Sequence, residues 1–206
     1  KHRQGGRKTN IEKGKNMTYI DKIDNLDYGV IGNCRTAALI SKRGSIDWLC
    51  LPDFDTPSVF SKLLDEQKGG SFSFLVSEDY RISQNYWGNT NILITKYKSD
   101  EGAFEVIDYM PRYRASETKH YMPPEIHRYV RLLWGKPQLK VLYNPQMNYA
   151  AEKTKHTIKS NYIQSAAVQK EEEHKIYLYS TLDFQTLLNG DVFELTENHF
   201  FLLSYH

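Results

Sequence analysis

Two carboxylates, Asp53 and Asp55, stand two residues apart in segment 51–57, which reads LPDFDTP. In an extended segment both side chains would point the same way, and paired carboxylates are the groups that hydrolyse glycosidic bonds. That reaction needs one carboxyl group on each side of the scissile bond, and two acids on one short segment rarely straddle a substrate. The spacing therefore favours a structural interpretation, in which Asp55 supports the start of a helix and Asp53 is solvated.

Two aromatic residues accompany these acids. The ring of Trp48 is the best candidate to stack on the apolar face of a sugar, and Phe54 stands between the two acids. A core or edge position in a sheet is the more usual role of such a tryptophan. The aromatic residues therefore indicate a contact surface without specifying what it contacts.

Arg35 lies at the start of an apolar run, where it can pair with Asp47, Asp53 or Asp55 in a structural ion pair. We predict no catalytic residue and no metal ligand in this chain. The residues predicted to face a substrate site or another domain are Arg35, Trp48, Asp53, Phe54 and Asp55.

The elements that position this corner are predicted to be two strands and a helix. Residues 36–41 and 46–51 are apolar runs, and Gly44 between them suits the positive φ of a hairpin turn. Thr56 can cap a helix and Pro57 suits its first position, so a short helix is expected after the hairpin.

The rest of the chain alternates strand and turn signals about every ten residues, which predicts an antiparallel sandwich. The predicted fold is therefore all-β, a large antiparallel β-sandwich (super-sandwich) with one short helix after the first hairpin. Residues 114–124 are polar and contain prolines, so they are predicted to form a loop. The further predicted strands are 71–76, 80–87, 91–98, 103–109, 125–133, 138–143, 157–160, 162–169, 175–182, 191–195 and 199–205.

Composition excludes several classes of function. A net charge of +2 over 206 residues does not support nucleic-acid binding. No apolar run approaches the ~20 residues of a membrane span, so the cytoplasm is the predicted compartment. The basic segment 1–16 is predicted to be a disordered leader. Cys34 and Cys50 are too few for a disulfide framework and are predicted to be reduced, partly buried thiols.

No cofactor is predicted. The seven histidines show no metal-ligand spacing, and the chain contains no phosphate-binding loop, dinucleotide fingerprint or nucleophile elbow. The residues alone therefore do not identify a reaction.

The run YGVIGNCRTAALISKRGSIDWLCLPDFDTPSVFSKLLD, at 28–65, resembles the start of glycoside hydrolase family 15 proteins, in particular the bacterial glucoamylase and trehalase-like branch. The resemblance covers about residues 24–206. It continues more weakly in VIDYMPR (106–112), HRYVRLL (127–133) and FFLLSYH (200–206). Many relatives have Arg where this chain has Asp53, so a contact made by that Arg would be lost or reversed in charge here.

This resemblance implies a domain organisation. In such proteins an N-terminal β-sandwich precedes an (α/α)6 barrel, which carries two glutamates and hydrolyses α-glucosidic bonds with inversion. No part of this chain matches the barrel, so residues 17–206 are expected to be the sandwich and the catalytic barrel is expected downstream. The chain's own catalytic barrel and an α-glucan or trehalose are then its expected partners, and an oligomer is compatible with this organisation.

Three functions remain open on this basis. The first is a non-catalytic domain that packs on the barrel and shapes its substrate site. The second is an independent carbohydrate-binding module, and the third is a structural or oligomerisation module. Three measurements distinguish these functions. They are the activity of the complete protein, sugar binding by the chain alone, and self-association.

Overall fold

The computed structural model describes residues 18–19, 25–169 and 172–205. The predicted leader at 1–16 lies outside the described residues. In chain order the elements are β1 Tyr28–Gly32, β2 Ala37–Ser41, β3 Ile46–Cys50, β4 Ser58–Phe60, β5 Gly70–Leu75, β6 Arg81–Tyr86, β7 Leu93–Lys98, β8 Gly102–Tyr109, β9 Tyr113–Arg114, β10 His120–Tyr121, β11 Glu125–Gly135, β12 Gln138–Pro145, β13 Lys155–Ile158, β14 Ile163–Gln169, β15 Glu172–Ser180, α1 Phe184–Asn189, β16 Val192–Glu194 and β17 His199–Ser204.

Two large antiparallel sheets face each other across one core, so the predicted all-β sandwich is confirmed. The first sheet has the strand order β1-β2-β3-β5-β12-β16, and β4 pairs with β3. The second has the order β13-β14-β15-β17-β11-β8-β7-β6. Strands alternate between core-facing and outward residues, as in β12, where every second residue is buried.

The first hairpin has the predicted form. Strands β2 and β3 pair antiparallel, and Gly44 in the turn adopts φ +76°. A Cβ at this glycine would lie 2.1 Å from the hydroxyl oxygen of Tyr97, which donates a hydrogen bond to the Arg43 carbonyl. The turn therefore needs glycine for both its backbone conformation and its close packing against the second sheet.

The predicted helix after the first hairpin is wrong. Residues 58–60 form β4, in which Phe60 pairs with Leu49 of β3. The Thr56 hydroxyl donates to the Asp53 carbonyl, 2.7 Å away, and does not cap a helix. The backbone of this apolar segment pairs with a neighbouring strand, and this tertiary pairing outweighs the local helix signals.

A six-residue helix, α1, instead follows β15. Its N-cap is Asp183, whose side chain accepts from the Thr186 amide, and its C-cap is Gly190 in the left-handed conformation. No helix in the described part of the chain is long and apolar enough to cross a membrane. The predicted loop at 114–124 is also more ordered than expected, because β9 and β10 pair antiparallel within it.

Aromatic side chains fill the space between the sheets. Phe72 of β5 is fully buried, and its ring lies 5.4 Å from that of Tyr143 and 5.7 Å from that of Phe201, between centroids. Phe201 belongs to the second sheet, so these edge-to-face contacts join the two layers.

A buried ion pair joins the layers at the same place. Arg128 of β11 is completely buried and forms a two-point ion pair with Asp108 of β8, at 2.8 and 3.1 Å. The same guanidinium donates to the carbonyls of Phe72 and Gly44 and lies 4.8 Å from the centre of the Phe72 ring. Burial raises the pKa of the Asp108 carboxyl, and the Arg128 charge opposes that shift. Arg128 thus ties the second sheet to the first hairpin.

Candidate functional site

The corner surface, defined as Arg35, Asp53, Phe54 and Asp55, is held by the loop between β1 and β2. Buried Asn33 accepts hydrogen bonds from the amides of Arg35 and Thr36. Its side-chain amide donates to the Pro123 carbonyl over 2.7 Å. A single asparagine therefore fixes the backbone of Arg35 and joins it to the segment that precedes β11.

Arg35 and Asp53 form the ion pair of the corner. Their Nε–Oδ1 distance is 2.5 Å and their Nη2–Oδ2 distance is 3.2 Å. This bond from Arg35 lowers the pKa of Asp53, so the carboxyl is ionised at neutral pH. The predicted structural pairing of Arg35 is therefore confirmed with Asp53 as its partner, whereas the prediction of a merely solvated Asp53 is wrong.

Loss of this pair is expected to change stability little, because the two side chains are 32% and 42% exposed. A double-mutant cycle on Arg35→Ala and Asp53→Ala, followed by urea unfolding, is expected to give a coupling of about 0.2–1 kcal/mol. A coupling above about 2 kcal/mol would contradict a solvent-screened pair and indicate a buried one.

The two carboxylates of the corner lie on a turn. The Thr56 amide donates to the Asp53 carbonyl, 3.3 Å away, so the segment is not the extended one that would align both acids. Asp55 is exposed, and no helix begins beside it. Phe54, between them, is 61% exposed, so the turn presents an aromatic ring and an acid to solvent.

Trp48 lies partly exposed on β3, and its ring centroid is 6.3 Å from that of Tyr149. Tyr149 is 53% exposed and sits in a turn where Asn148, Tyr149 and Ala150 all have φ between 55° and 58°. Left-handed backbone at consecutive non-glycine residues is costly and tends to occur at functional sites. Sequence reasoning missed Tyr149, because no local pattern predicts this turn.

A cleft of about 550 Å³ opens beside Arg35. The β9–β10 hairpin contributes His120 and Tyr121 to one wall, and the Tyr121 ring lies 5.0 Å from that of Tyr113. Both tyrosines are at least half exposed. The cleft falls in the size range of small-molecule sites. Tyr121 was missed from the sequence because its segment was interpreted as a loop, whereas His120 is a surface residue, as predicted.

A second, smaller pocket of about 60 Å³ is lined by Pro52 and Pro57, which flank the corner in the sequence. Asn148 and Tyr205, the last described residue, also line it. It is too small for a sugar ring and holds at most a few water-sized groups.

These groups suit binding better than acid–base chemistry. Arg35 and Asp53 satisfy each other, and exposed rings at Phe54, Tyr121 and Tyr149 offer stacking surfaces. Among the residues that the structure describes, no three His, Cys, Asp or Glu side chains are grouped closely enough to hold a metal ion.

Cys34 and Cys50 were both predicted to be reduced, partly buried thiols, but their burial differs. Both are free thiols, as predicted. Cys50 is buried, and burial raises the pKa of its thiol. Cys34 is exposed and adopts φ 72°, so the prediction of partial burial is wrong for it.

Comparison with known proteins identifies the domain type. The family model for the N-terminal domain of trehalase-like proteins matches residues 7–177. No solved structure is significantly similar.

Curated relatives agree with this match. The chain is 37% identical to the trehalase of Thermoplasma volcanium over 129 residues, which are 61% of this chain and 20% of that protein. It is 49% identical to trehalase 1 of Sulfolobus acidocaldarius over 84 residues, 40% of this chain and 14% of that protein. A trehalase of Mycolicibacterium smegmatis is 51% identical over 43 residues, 21% of this chain and 6% of that protein. The chain spans a fifth or less of the length of these relatives.

These matches confirm the resemblance to trehalase-like proteins that residues 28–65 indicated. They also extend well beyond that segment. The chain belongs to the family of trehalase-like N-terminal domains.

Proposed function

We propose that this chain is the non-catalytic N-terminal domain of a trehalose hydrolase of glycoside hydrolase family 15. The match to trehalase-like N-terminal domains over residues 7–177 carries the proposal. The relatives named above are trehalases. Trehalose therefore becomes the first substrate to test, ahead of the maltooligosaccharides and dextrans cleaved by glucoamylase-type relatives.

The corner supports a non-catalytic role. Inverting hydrolysis needs a general acid and a general base about 6.5–9.5 Å apart on opposite faces of the bond. Asp53 is held by Arg35 and its pKa is lowered, which makes it a poor proton donor. Asp55 lies two residues away on the same turn, so the two acids do not surround a cleft. The general acid and base are assigned to a downstream (α/α)6 barrel.

The same corner is suited to line a sugar site formed with that barrel. Phe54 is exposed enough to stack on a pyranose ring, and Arg35 lies in the wall of the cleft. Hydroxyl groups of trehalose can donate to Asp55 and accept from Arg35. Such contacts position the substrate and leave bond cleavage to the barrel.

The proposal is tested in the complete protein that contains this domain, by measuring glucose release from trehalose. Phe54→Ala and Asp55→Ala are each expected to lower kcat/KM by about tenfold, which is the effect of about 1.4 kcal/mol of lost transition-state binding. Trp134→Ala is the matched control, because Trp134 is 46% exposed and lies at the end of β11 opposite to the cleft. The chain alone is expected to release no glucose.

A different result would contradict each part of the proposal. Unchanged kcat/KM in both corner variants would overturn the role of the corner. Glucose release by the chain alone would overturn the non-catalytic role, and a complete protein inactive on trehalose would overturn the reaction.

The exposed rings also favour a second candidate, an independent carbohydrate-binding module. Phe54 and Tyr121 are the side chains that such a module would use. Calorimetric titration of the chain alone with trehalose and maltooligosaccharides separates the two. Saturable binding that is lost in Tyr121→Ala would favour the binding module over the proposed function.

A further inference from the structure

A groove of about 220 Å³ lies on the eight-stranded sheet at the neighbouring strands β6, β7 and β8. We call it the sheet groove. None of the corner residues lines it, so it is separate from the candidate site described above. Its lining residues are Ser83, Asn85 and Tyr86 of β6, Ile94 and Lys96 of β7, and Glu105 of β8.

Alternation along the strands places the polar residues of the sheet groove on the outward side. Gln84 of β6 faces the core, where its amide donates to the buried Thr95 hydroxyl. Its strand neighbour Ser83 therefore points outward. Register then places Ser83 opposite Lys96, and Lys96 opposite Glu105. The three polar side chains form one row across three strands.

Glu105 is a buried carboxylate at one end of this row, because the residue is only 4% exposed. Its Oε1 accepts a hydrogen bond from Arg131. Its Oε2 lies 3.9 Å from Nζ of Lys96, which is longer than a hydrogen bond. Buried charged groups are stabilised by hydrogen bonds, so Oε2 is suited to accept one from a group that enters the sheet groove.

The separation of these two atoms suits a single hydroxyl group. A hydroxyl donates one hydrogen bond and accepts others, so it can donate to Oε2 of Glu105 and accept from Nζ of Lys96 at the same time. Hydrogen bonds of about 2.7–2.9 Å to both atoms are compatible with a third side of 3.9 Å between them. Water or an alcohol can therefore bridge the pair without moving it.

The remaining lining residues extend the contact beyond one hydroxyl. The Asn85 amide offers both donors and an acceptor to a further hydroxyl of the same molecule. Ile94, opposite Asn85 in the register, offers an apolar contact for C–H groups. The Tyr86 hydroxyl bonds both backbone groups of Val30, at 2.7 and 2.9 Å, so this lining ring is held in place.

The charges of the sheet groove restrict the chemistry of its ligand. The Glu105 carboxylate repels an anion such as a phosphate, and the Lys96 ammonium repels a cation. A neutral molecule with several hydroxyl groups meets neither repulsion and uses both charged groups as hydrogen-bond partners.

We infer that the sheet groove binds one ring of a neutral saccharide. Glu105 and Lys96 hold one hydroxyl, and Asn85 holds another. The sheet groove is about 20 Å from the corner cleft at ~3.4 Å per residue of β11, because Arg131 pairs with Glu105 and Glu125 lines the cleft. One sugar ring therefore cannot occupy both. The inference does not rest on the proposed function, in which the corner contacts the substrate.

Titration of the chain with methyl α-glucopyranoside, followed by two-dimensional NMR of its amide groups, tests this inference. The probe is a neutral single ring. Saturable shifts are expected in β6 and β7, with a Kd of about 1–10 mM for so few hydrogen bonds. Lys96→Met and Asn85→Ala are each expected to weaken binding about tenfold. Both side chains are exposed, and the dispersion of the amide signals verifies that each variant is folded.

Lys98→Met is the matched control. Lys98 is exposed and is the next outward residue of β7 after Lys96, but it does not line the sheet groove. Its replacement is expected to leave the Kd unchanged. A loss of affinity equal to that of Lys96→Met would show a general effect of charge and would overturn the role of Lys96.

Three further results would overturn the inference. Absence of saturable shifts in β6 and β7 would show that the sheet groove does not bind a sugar ring. Shifts confined to the corner cleft would place sugar binding there instead. Equally tight binding of inorganic phosphate, lost in Lys96→Met, would show a cationic patch and not a hydroxyl site. Trehalose hydrolysis by the complete protein is measured separately, so none of these results decides the proposed function.

Discussion

Replacement of Arg128 by methionine is expected to lower the free energy of unfolding by about 3–5 kcal/mol. The substitution leaves Asp108 buried without its partner, and breaking one side of a buried ion pair has this cost. It also removes the hydrogen bonds that Arg128 donates to the carbonyls of Gly44 and Phe72, and the loss of buried hydrogen bonds adds to the cost. Since folded proteins are stable by only about 5–15 kcal/mol, the variant is expected to be close to unfolding at 25 °C. Urea unfolding followed by circular dichroism measures the loss.

The double variant Arg128→Met/Asp108→Leu separates charge from packing. Removing both charges is expected to recover much of the stability, because apolar replacement of a whole buried pair is often neutral. Arg131→Met is the surface control, since Arg131 is half exposed and its loss is expected to cost at most about 1 kcal/mol. A single variant as stable as this control would contradict the proposed role of Arg128.

The loss of stability caused by Arg128→Met is expected to depend on pH. Without the arginine, burial alone acts on Asp108 and its pKa in the folded state rises further. A carboxyl with a raised folded pKa contributes stability that is present below its unfolded pKa of about 3.9 and lost as pH rises. The loss in free energy of unfolding caused by Arg128→Met is therefore expected to become smaller as pH falls toward about 4.

Replacement of Phe72 by alanine is expected to cost about 3–5 kcal/mol. Its ring is fully buried and contacts rings from both sheets, including Tyr143 and Phe201, so truncation leaves a cavity at the centre of the core. The face of the ring also lies against the Arg128 guanidinium, and this cation–π contact is lost with it. Thermal and urea unfolding of the variant measure the combined loss.

Phe54→Ala is the control for this prediction, because it removes the same side chain from an exposed site. Its expected effect on the free energy of unfolding is within about 0.5 kcal/mol. Equal losses in the two variants would show that Phe72 does not organise the core. An unchanged stability of Phe54→Ala would also show that a loss of activity in this variant does not result from unfolding.

Much of the fold was predictable because its signals are local. Apolar runs, alternation and turn residues predicted the β2–β3 hairpin and most later strands to within a few residues. Gly44 shows how one residue can predict a turn, because its φ of +76° is the positive value expected of glycine in a hairpin. The failure at Thr56 and Pro57 shows the limit, because helix signals there were real but weaker than pairing of β4 with β3.

The candidate site was predictable in part. Arg35, Asp53 and Phe54 were selected from residue type, and the resemblance marked the corner as a contact surface. The choice of Asp53 as the partner of Arg35 needed the turn between Asp53 and Thr56. Tyr121 and Tyr149 were missed, because Tyr121 shares its cleft with Arg35, about 90 residues away in the sequence, and Tyr149 contacts Trp48, about 100 residues away.

By itself the sequence determined the all-β class, the first hairpin and the family to which the domain belongs. These follow from patterns within short segments, where chain connectivity already places the interacting groups together. The tertiary structure alone decided the partner of Arg128, the strand pairing of residues 58–60, and the position of Tyr121 in the same cleft as Arg35. Each of these depends on contacts between residues far apart in the chain, whose energies are settled only when both sheets pack on one core.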